Sequence, residues 1–425
     1  MKKQLDDKKK KVTKKKKVIK DLDINNKKIN KKDKESKNSF SLRELIIIVI
    51  LTCILSSLCT GCIMFFKYKS TNVMTKYSLN KDNELNRFVE VYANVLKDYY
   101  EDVNSKTMID NAIKAMLGNL GDAYTSYLTK EEAKALTEKL EGEYKGIGIQ
   151  ITGRTVYSVF EGSPADKAGI KAGDVLTSVN GKEVTDENYA EITNIIKTGD
   201  DDTFIIKALR DDEELSFEVS RTTLDVPAIS YQIIENKDKN TGYIYIETFS
   251  NTVAKQISNA LNKMEDEGID NLIIDVRGNT GGYLSAADDI SELFLQKGKV
   301  IYSLESKLGK KSYKDTTDDK REYKVVVLIN GASASSSEIL AAALKDSYGA
   351  LLVGNKSYGK GKVQSTKNFK DGSMAKYTSS KWLRPNGECI DGEGLIPDYE
   401  VDLKISEDGK SYIDTQLNKA LEILQ

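Results

Sequence analysis

The chain of 425 residues contains no histidine. A Ser-His-Asp triad and any metal site built on histidine ligands are therefore excluded. Cysteine is also scarce, because three of the four cysteines lie within one apolar run near the N-terminus and only Cys389 lies beyond it. The rest of the chain then lacks both an intrachain disulfide and a cysteine-rich metal site, and we expect neither a metal nor a cofactor.

Positive charge is concentrated at the N-terminus, although the formal net charge of the chain is only −1. Residues 1–44 carry 18 Lys and Arg against 7 Asp and Glu. This polar, Lys-rich, low-complexity composition predicts a disordered tail. A polylysine tail that binds nucleic acid is a lesser alternative, because an apolar run follows directly. We therefore expect no nucleic-acid partner.

That apolar run covers residues 45–66 and contains no charged side chain. It is long enough to cross a bilayer as one helix. The basic tail before it should stay in the cytoplasm, which places everything after Lys67 outside the cell membrane. A cleaved signal peptide is the alternative, but the basic lead-in is unusually long and no small-x-small cleavage site is clear. The sequence favours a retained single-pass anchor.

A turn of small residues, 330–338, separates the apolar run 325–329 from a helix-like run that begins at Ile339. Ser335 would then lie at a helix N-terminus, where unpaired N–H groups and the helix dipole favour negative charge. This environment suits a serine that becomes an alkoxide beside a developing oxyanion. The alternative is that the serines only cap the helix.

Without histidine, the remaining common partner of a serine nucleophile is a lysine that burial keeps neutral. Lys360 is the candidate, because Gly359 and Gly361 on either side let the backbone approach other groups closely. Gln364 could orient its amine. A solvated Gly-Lys-Gly-Lys loop is the alternative, and spacing alone leaves both interpretations open.

These two stretches resemble the signature of the carboxyl-terminal processing proteases, also called tail-specific proteases: N-G-x-S-A-S-x-S-E followed by G-K-G-x-V-Q. The resemblance implies that Ser335 is the nucleophile, Lys360 the general base and Gln364 the orienting residue. Substitution of the neighbouring Ser333, Ser336 and Ser337 is expected to matter less. The resemblance extends over about residues 84–425.

A second resemblance, to PDZ domains, is carried by the long run 162–181. In such a module the backbone amides of a glycine loop capture a terminal carboxylate, and a strand edge adds the peptide as an extra strand. The predicted peptide-binding residues are Gly146, Ile147, Gly148 and Ile149. A helix expected at 187–197 carries Tyr189, Ile192, Ile195 and Ile196. Members of the family often have an arginine after this helix that couples ligand binding to activation, and this chain has Thr198 there. We therefore assign no coupling residue, and Lys197 is the candidate to replace the arginine.

Strand-like runs at 243–246 and 272–276, with a helix predicted at 253–267 between them, indicate βαβ units. The loop 275–282 resembles the family's D-x-R-x-N-x-G-G segment. It implies an oxyanion hole made by the backbone N–H groups of Gly281 and Gly282 together with that of Ser336. Asp275 and Arg277 are interpreted as a salt bridge that holds this loop.

Further elements are predicted from periodicity and turn residues. They are helices at 84–99, 108–120, 130–140, 284–295 and 412–424, a hairpin turn at 371–373 and a strand at 376–383. The segment 121–128 resembles the family's L-D-x-Y-S-x-Y-L, and we interpret it as a loop with packing tyrosines.

The sequence therefore predicts a multidomain α+β protein. Its parts are a basic cytoplasmic tail (1–44), a transmembrane helix (45–66), a linker and helical region (67–141), a PDZ domain (142–222) and an α/β protease core of the ClpP/crotonase-like type with a C-terminal strand and helix segment (223–425). The predicted function is a membrane-anchored serine endopeptidase for proteins and peptides with free C-termini. The resemblance also implies a homodimer and a regulatory partner protein. The alternative is a non-catalytic, membrane-tethered PDZ adaptor, against which the intact serine, lysine and glutamine argue.

Overall fold

The computed structural model describes residues 84–318, 320–406 and 412–425. The chain divides into two compact units, Met1–Val103 and Asn104–Gln425. In the first unit the described residues form helix α1 (Glu84–Asp98), which is amphipathic as predicted and has no buried residue. Over the described ranges, no helix is both long and apolar enough to cross a bilayer. The predicted span 45–66 lies outside the described residues.

The second unit begins with two helices, α2 (Ser105–Gly118) and α3 (Lys130–Glu141), close to the predicted ranges. A capping box starts α3: the Glu132 carboxylate accepts from the Thr129 backbone N–H at 2.8 Å. Between the helices, strand β1 (Ser126–Leu128) pairs with β18 (Met374–Leu383). The segment interpreted as a loop is thus partly a strand, because its backbone finds a partner 250 residues away that the local sequence does not reveal.

A β-rich module follows and matches the predicted PDZ architecture. Its elements are β2 (Glu143–Gly146), β3 (Ile149–Thr152), β4 (Thr155–Val159), α4 (Pro164–Ala168), β5 (Val175–Val179), β6 (Lys182–Glu183), α5 (Tyr189–Thr198), β7 (Thr203–Arg210), β8 (Glu213–Ser220) and β9 (Thr222–Asp225). Alternate residues of β7, Phe204, Ile206 and Ala208, are fully buried, as expected for a strand with one face on a core. The module has a hydrophobic cluster of its own.

The predicted protease core is built on a six-stranded sheet in the order β10-β11-β12-β15-β16-β19. All its neighbours are parallel except the hairpin of β10 and β11. Its elements are β10 (Ile229–Asn236), β11 (Lys239–Ile246), α6 (Val253–Asp266), β12 (Asn271–Asp275), α7 (Leu284–Glu292), β15 (Lys324–Ile329), α8 (Ser336–Ala343), a π-helical turn (Leu344–Tyr348), β16 (Leu351–Gly354) and β19 (Tyr399–Glu400). Helix α7 ends at Glu292 rather than at the predicted residue 295.

Both faces of this sheet are covered, which is typical of a parallel sheet. Leu272 and Ile274 of β12 belong to the cluster that packs under α6, α7 and α8. Ile273 between them belongs to a second cluster that contains Ala420 of helix α9 (Thr415–Ile423). The carboxyl ends of the parallel strands share one edge, so the loops that follow β12, β15 and β16 meet there.

A second sheet joins β1, β18, β13 (Val300–Ser306), β14 (Gly309–Lys314) and β17 (Lys362–Asn368). β17 and β18 form the hairpin whose turn was predicted at 371–373. Near the C-terminus, β20 (Lys404–Ile405) pairs with β21 (Tyr412–Ile413), so α9 starts three residues later than predicted.

The loop after β12 is anchored by Arg277. Its guanidinium bonds to both carboxylate oxygens of Asp275 at 2.5–3.0 Å and to both of Asp414 at 2.8 Å. A further bond reaches Gln416 at 3.0 Å. The predicted salt bridge between Asp275 and Arg277 is confirmed, and it also ties the loop to the start of α9.

Candidate active site

Ser335 occupies the N-cap of helix α8, as predicted, with φ 59° and ψ −118°. Few L-residues adopt this backbone conformation, and such strain gathers at functional sites when the surroundings enforce it. The turn before it is enforced by Ser333, whose hydroxyl donates to the Val276 carbonyl at 2.8 Å and accepts from the Asn330 N–H at 2.9 Å. The neighbouring loop therefore fixes the turn that presents Ser335.

The predicted oxyanion loop lies directly against this serine. Gly281 has φ +98°, and a Cβ there would come within 2.8 Å of the Ala334 carbonyl and 3.0 Å of the Ser336 nitrogen, so only glycine fits. The Gly281 N–H already donates to the Asn279 side chain at 2.8 Å. The Gly281 N–H, one of the three predicted oxyanion donors, is thus already bonded within its own loop, because the Asn279 side chain folds back on it.

Gly282 takes part in a backbone bridge to Phe249, but its own amide is not a bonding group of that bridge. The contacts are made by the Tyr283 N–H, at 2.7 Å from the Phe249 carbonyl, and by the Gly281 carbonyl, at 3.4 Å from the Phe249 nitrogen. The amides of Gly282 and Ser336 therefore remain our predicted oxyanion donors.

The neighbouring serines are not free surface groups. Ser336 donates through its hydroxyl to the Tyr283 carbonyl at 3.0 Å, and Ser337 donates to the Asn279 carbonyl at 2.9 Å. Both residues and Ser333 are buried. They fasten α8 to the oxyanion loop. Their substitution should therefore lower the stability of the site, an effect that the expectation from the sequence did not include.

Lys360 lies in the loop between β16 and β17, and the flanking glycines do allow the close approach that was predicted. A Cβ at Gly359 would meet the Gly394 nitrogen at 2.8 Å, and one at Gly361 would meet Asp391 at 2.6 Å. The Lys360 carbonyl accepts from the Trp382 indole N–H at 2.8 Å. The backbone at the lysine is thus held from two sides.

The side chain of Lys360 is half-buried, and its amine faces the ring of Tyr124 at 4.8 Å from the ring centre. Burial lowers the pKa of Lys360 below its ordinary value, and the positive charge of Lys376 lowers it further, while Glu338 and Asp122 act in the opposite direction. A lysine whose pKa is depressed is better able to act as a base near neutral pH.

The two candidates are joined by a residue that the sequence analysis did not single out, Glu338. Its side chain is fully buried. One carboxylate oxygen accepts from the backbone N–H groups of Ser335 and Lys360, each at 2.9 Å. The other accepts from the Gly359 N–H at 2.7 Å and the Ser357 hydroxyl at 2.5 Å.

A single buried carboxylate thus fastens both loops. The signal that could have identified Glu338 was its place three residues after the serine, at the capping-box position of a helix.

Gln364 lies beside the lysine loop, within a different network. Its amide nitrogen donates to the Lys362 carbonyl at 3.2 Å and to the Thr378 hydroxyl at 3.3 Å. Thr378 in turn donates to Asp122 at 2.6 Å. The predicted contact of Gln364 with the Lys360 amine stays a prediction.

Three of the four predicted peptide-binding residues, Gly146, Ile147 and Ile149, line a groove between β3 and α5, and Gly148 is not among its walls. The groove encloses a cavity of about 40 Å³. Its walls are mostly apolar and include Gly146, Ile147, Ile149, Ile151, Tyr189, Ile192, Ile196 and Lys197. Gly148 has φ +93°, and its carbonyl accepts from the Phe160 N–H at 2.9 Å. Tyr189, Ile192 and Ile196 are the predicted helix residues that face the groove, and Ile195 is not among its walls.

Comparison with known families agrees with this architecture. Residues 240–401 match the family described as peptidase family S41, and residues 155–210 match a PDZ domain. Residues 64–132 match a domain described as the N-terminal domain of the activating protease CtpB.

Individual relatives point the same way. The carboxy-terminal processing protease CtpA of Bacillus subtilis is 34% identical over 366 residues, which cover 85% of this chain and 77% of that protein. A probable CtpA-like serine protease of Staphylococcus aureus is 35% identical over 333 residues, 76% of this chain and 66% of that one.

Among solved structures, a photosystem II D1 C-terminal processing protease covers 84% of this chain and 96% of its own, with 23% identity and a TM-score of 0.47. The assignment rests on the sequence relatives and the matched families. The chain belongs to the carboxy-terminal processing proteases of peptidase family S41, and it is a serine-type peptidase with a PDZ domain.

Proposed function

We propose that this protein is a membrane-anchored endopeptidase that cleaves proteins outside the cytoplasm with a Ser335–Lys360 dyad. The observation that carries the proposal is the Glu338 carboxylate, one oxygen of which accepts from the backbone N–H groups of both residues. Burial also lowers the pKa of the Lys360 amine. Together these features support a serine held beside a lysine that is ready to accept its proton.

In the proposed reaction the neutral Lys360 amine removes the Ser335 proton, and the alkoxide attacks the scissile carbonyl. The oxyanion then receives hydrogen bonds from the backbone N–H groups of Gly282 and Ser336. Lysine returns the proton to the leaving amine, which leaves an ester on Ser335. Water, activated by the same amine, hydrolyses that ester and restores the serine. The proposal also includes Gln364 as the residue that orients the Lys360 amine. Its side chain is held by Thr378, which in turn donates to Asp122.

The PDZ groove is proposed to select substrates by their C-termini. The glycine loop at 146–149 would take the terminal carboxylate, and the apolar groove would take the last side chain. The walls of the groove are mostly apolar. The groove therefore favours an aliphatic terminal side chain, such as that of alanine.

The homodimer and the regulatory partner remain part of the proposal. Helix α1 supports a protein contact, because its apolar residues are largely exposed. These residues are Leu85, Phe88, Val89, Val91 and Leu96.

The membrane anchor rests on the sequence of residues 1–66. We expect the full chain to sediment with membranes after cell lysis and to resist extraction by alkaline carbonate. Protease added to intact spheroplasts should digest the part after residue 67. Recovery of the intact chain in the soluble fraction, or protection of its C-terminal part, would contradict the anchor or its orientation.

Removal of either dyad member should abolish turnover. Ser335→Ala and Lys360→Ala are each expected to lower kcat by at least about 1,000-fold, and the double variant should be no worse, because the two groups act as a unit. Activity should fall as the pH drops through the lowered pKa of Lys360, since a protonated amine cannot accept the serine proton. Cleavage of a fluorescein-labelled casein by the full chain measures both, and Lys356→Ala, an exposed lysine of the same loop, is the matched control. Equal cleavage by all variants would exclude the dyad.

Glu338→Gln tests the connection between the two loops. Four donors converge on the carboxylate, and an amide can accept at only one end. We therefore expect the joined arrangement of the two loops to lose about 3 kcal/mol of stability. Casein cleavage and the labelling rate of Ser335 by a fluorophosphonate should both fall by about 100-fold. The control is Glu393→Gln, an exposed glutamate of the adjoining segment. A Glu338→Gln protein that is labelled at the normal rate would contradict the role of the carboxylate.

The groove is tested by peptide binding rather than by cleavage. In the Ser335→Ala background, Ile192→Lys should weaken binding of a fluorescent peptide that ends in alanine by at least about tenfold, because the charged side chain enters an apolar cavity. Anisotropy titration of the same peptide with an amidated C-terminus measures how much the terminal carboxylate contributes to the binding affinity. Equal affinity for the free acid and the amide would exclude C-terminal recognition by this groove.

A further inference from the structure

Tyr124 covers the amine of the candidate base. Its ring centre lies 4.8 Å from the Lys360 nitrogen and 5.9 Å from that of Lys362. The residue comes from the segment between α2 and β1, far in sequence from every motif of the dyad. A side chain of the segment between α2 and β1 thus forms one wall of the lysine environment.

The segment is held in this place by Asp122. One carboxylate oxygen accepts from the hydroxyls of Thr125 at 2.7 Å and Thr378 at 2.6 Å. The Thr378 N–H donates to the Thr125 hydroxyl at 3.1 Å, which closes the connection to β18. Lys362 pairs with the other oxygen at 3.7 Å.

Strand pairing adds a second attachment. Ser126, Tyr127 and Leu128 of β1 pair with Lys376, Ala375 and Met374 of β18. β18 also pairs with β17, which begins two residues after Lys360. The position of Tyr124 is therefore set relative to the lysine loop by backbone as well as by side-chain bonds.

The hydroxyl of Tyr124 stays protonated. Burial raises the pKa of Tyr124 to about 12, and a hydrogen bond with Tyr358 together with the charges of Asp391 and Asp122 acts in the same direction. The ring is therefore neutral at physiological pH and does not stabilise the lysine ammonium as an anion would. Its face does attract a cation, but burial, which favours the neutral amine, is the largest influence on the pKa of Lys360.

We propose that Tyr124 is a positioning residue of the active site: its ring, held by the Asp122 network, shields the Lys360 amine from water and keeps it in its neutral, reactive form. The charged groups that act on this amine are Lys376, which favours the neutral form, and Glu338 and Asp122, which favour the charged one. The base is then complete only when the segment 122–128 is docked on β18. The inference rests on the proposed role of Lys360.

The test is the pH dependence of kcat/KM for labelled casein, measured with the full chain. In Tyr124→Ala and Tyr124→Gln, water reaches the amine, and the pKa of the acidic limb should rise by about one unit. At pH values below this limb, kcat/KM should then be about tenfold lower than in the wild type, and the difference should disappear at higher pH. Tyr124→Phe keeps the cover and should retain the wild-type limb. Tyr377→Ala, an exposed tyrosine of β18, is the matched control and should behave like the wild type.

Two outcomes overturn the inference. One is an acidic limb that stays in place in both Tyr124→Ala and Tyr124→Gln, and the other is a loss of activity that is equal at every pH. The glutamine variant leaves a smaller gap than alanine and puts a polar side chain at a half-buried position, so it guards against a failure to fold. Lys360→Ala separates the two proposals. If that variant still cleaves casein, the base assignment itself is wrong, whereas a required lysine with an unmoved limb rejects only the role of Tyr124.

Discussion

The site depends on one buried carboxylate. Glu338 accepts four hydrogen bonds, from the backbones of Ser335, Gly359 and Lys360 and from the Ser357 hydroxyl. A buried charge is costly unless its hydrogen-bonding capacity is filled. Here that cost is offset by donors from two loops that follow different strands of the sheet. The carboxylate can be satisfied only when both loops are in place, so the folding of each loop is coupled to that of the other.

The parallel sheet explains why such a coupling can arise. Its strands end at one edge, and the loops after β12, β15 and β16 meet there. The same edge carries the Arg277 cluster with Asp275 and Asp414. The Glu338 carboxylate and the Arg277 guanidinium each bond to segments that are distant in the sequence. The polar groups there thus hold the loops in one arrangement, while burial on both faces of the sheet supplies the stability.

Local patterns in the sequence were sufficient to predict most elements. The strand before Ser335, the helix after it, the βαβ unit around α6 and the hairpin turn near Gly372 all follow from apolar periodicity and turn residues. The strand β1 was missed, because its partner lies on β18. Tyr124 was missed for the same reason, because its contacts with the lysine loop run across the fold. Glu338 was missed although its capping-box position is visible in the sequence, because its bonds to the lysine loop are not. The engagement of the Gly281 amide by Asn279 also depends on a local fold-back that composition does not reveal.

The backbone at Ser335 has a consequence for the residue that can stand there. With φ at 59°, a β-branched side chain would be strongly disfavoured, because its two branches crowd the backbone in this region. Threonine carries the same hydroxyl but would have to distort the turn in order to present it. Cysteine has no such branch. The backbone conformation of this one residue thus disfavours threonine in place of serine, whereas cysteine remains sterically acceptable.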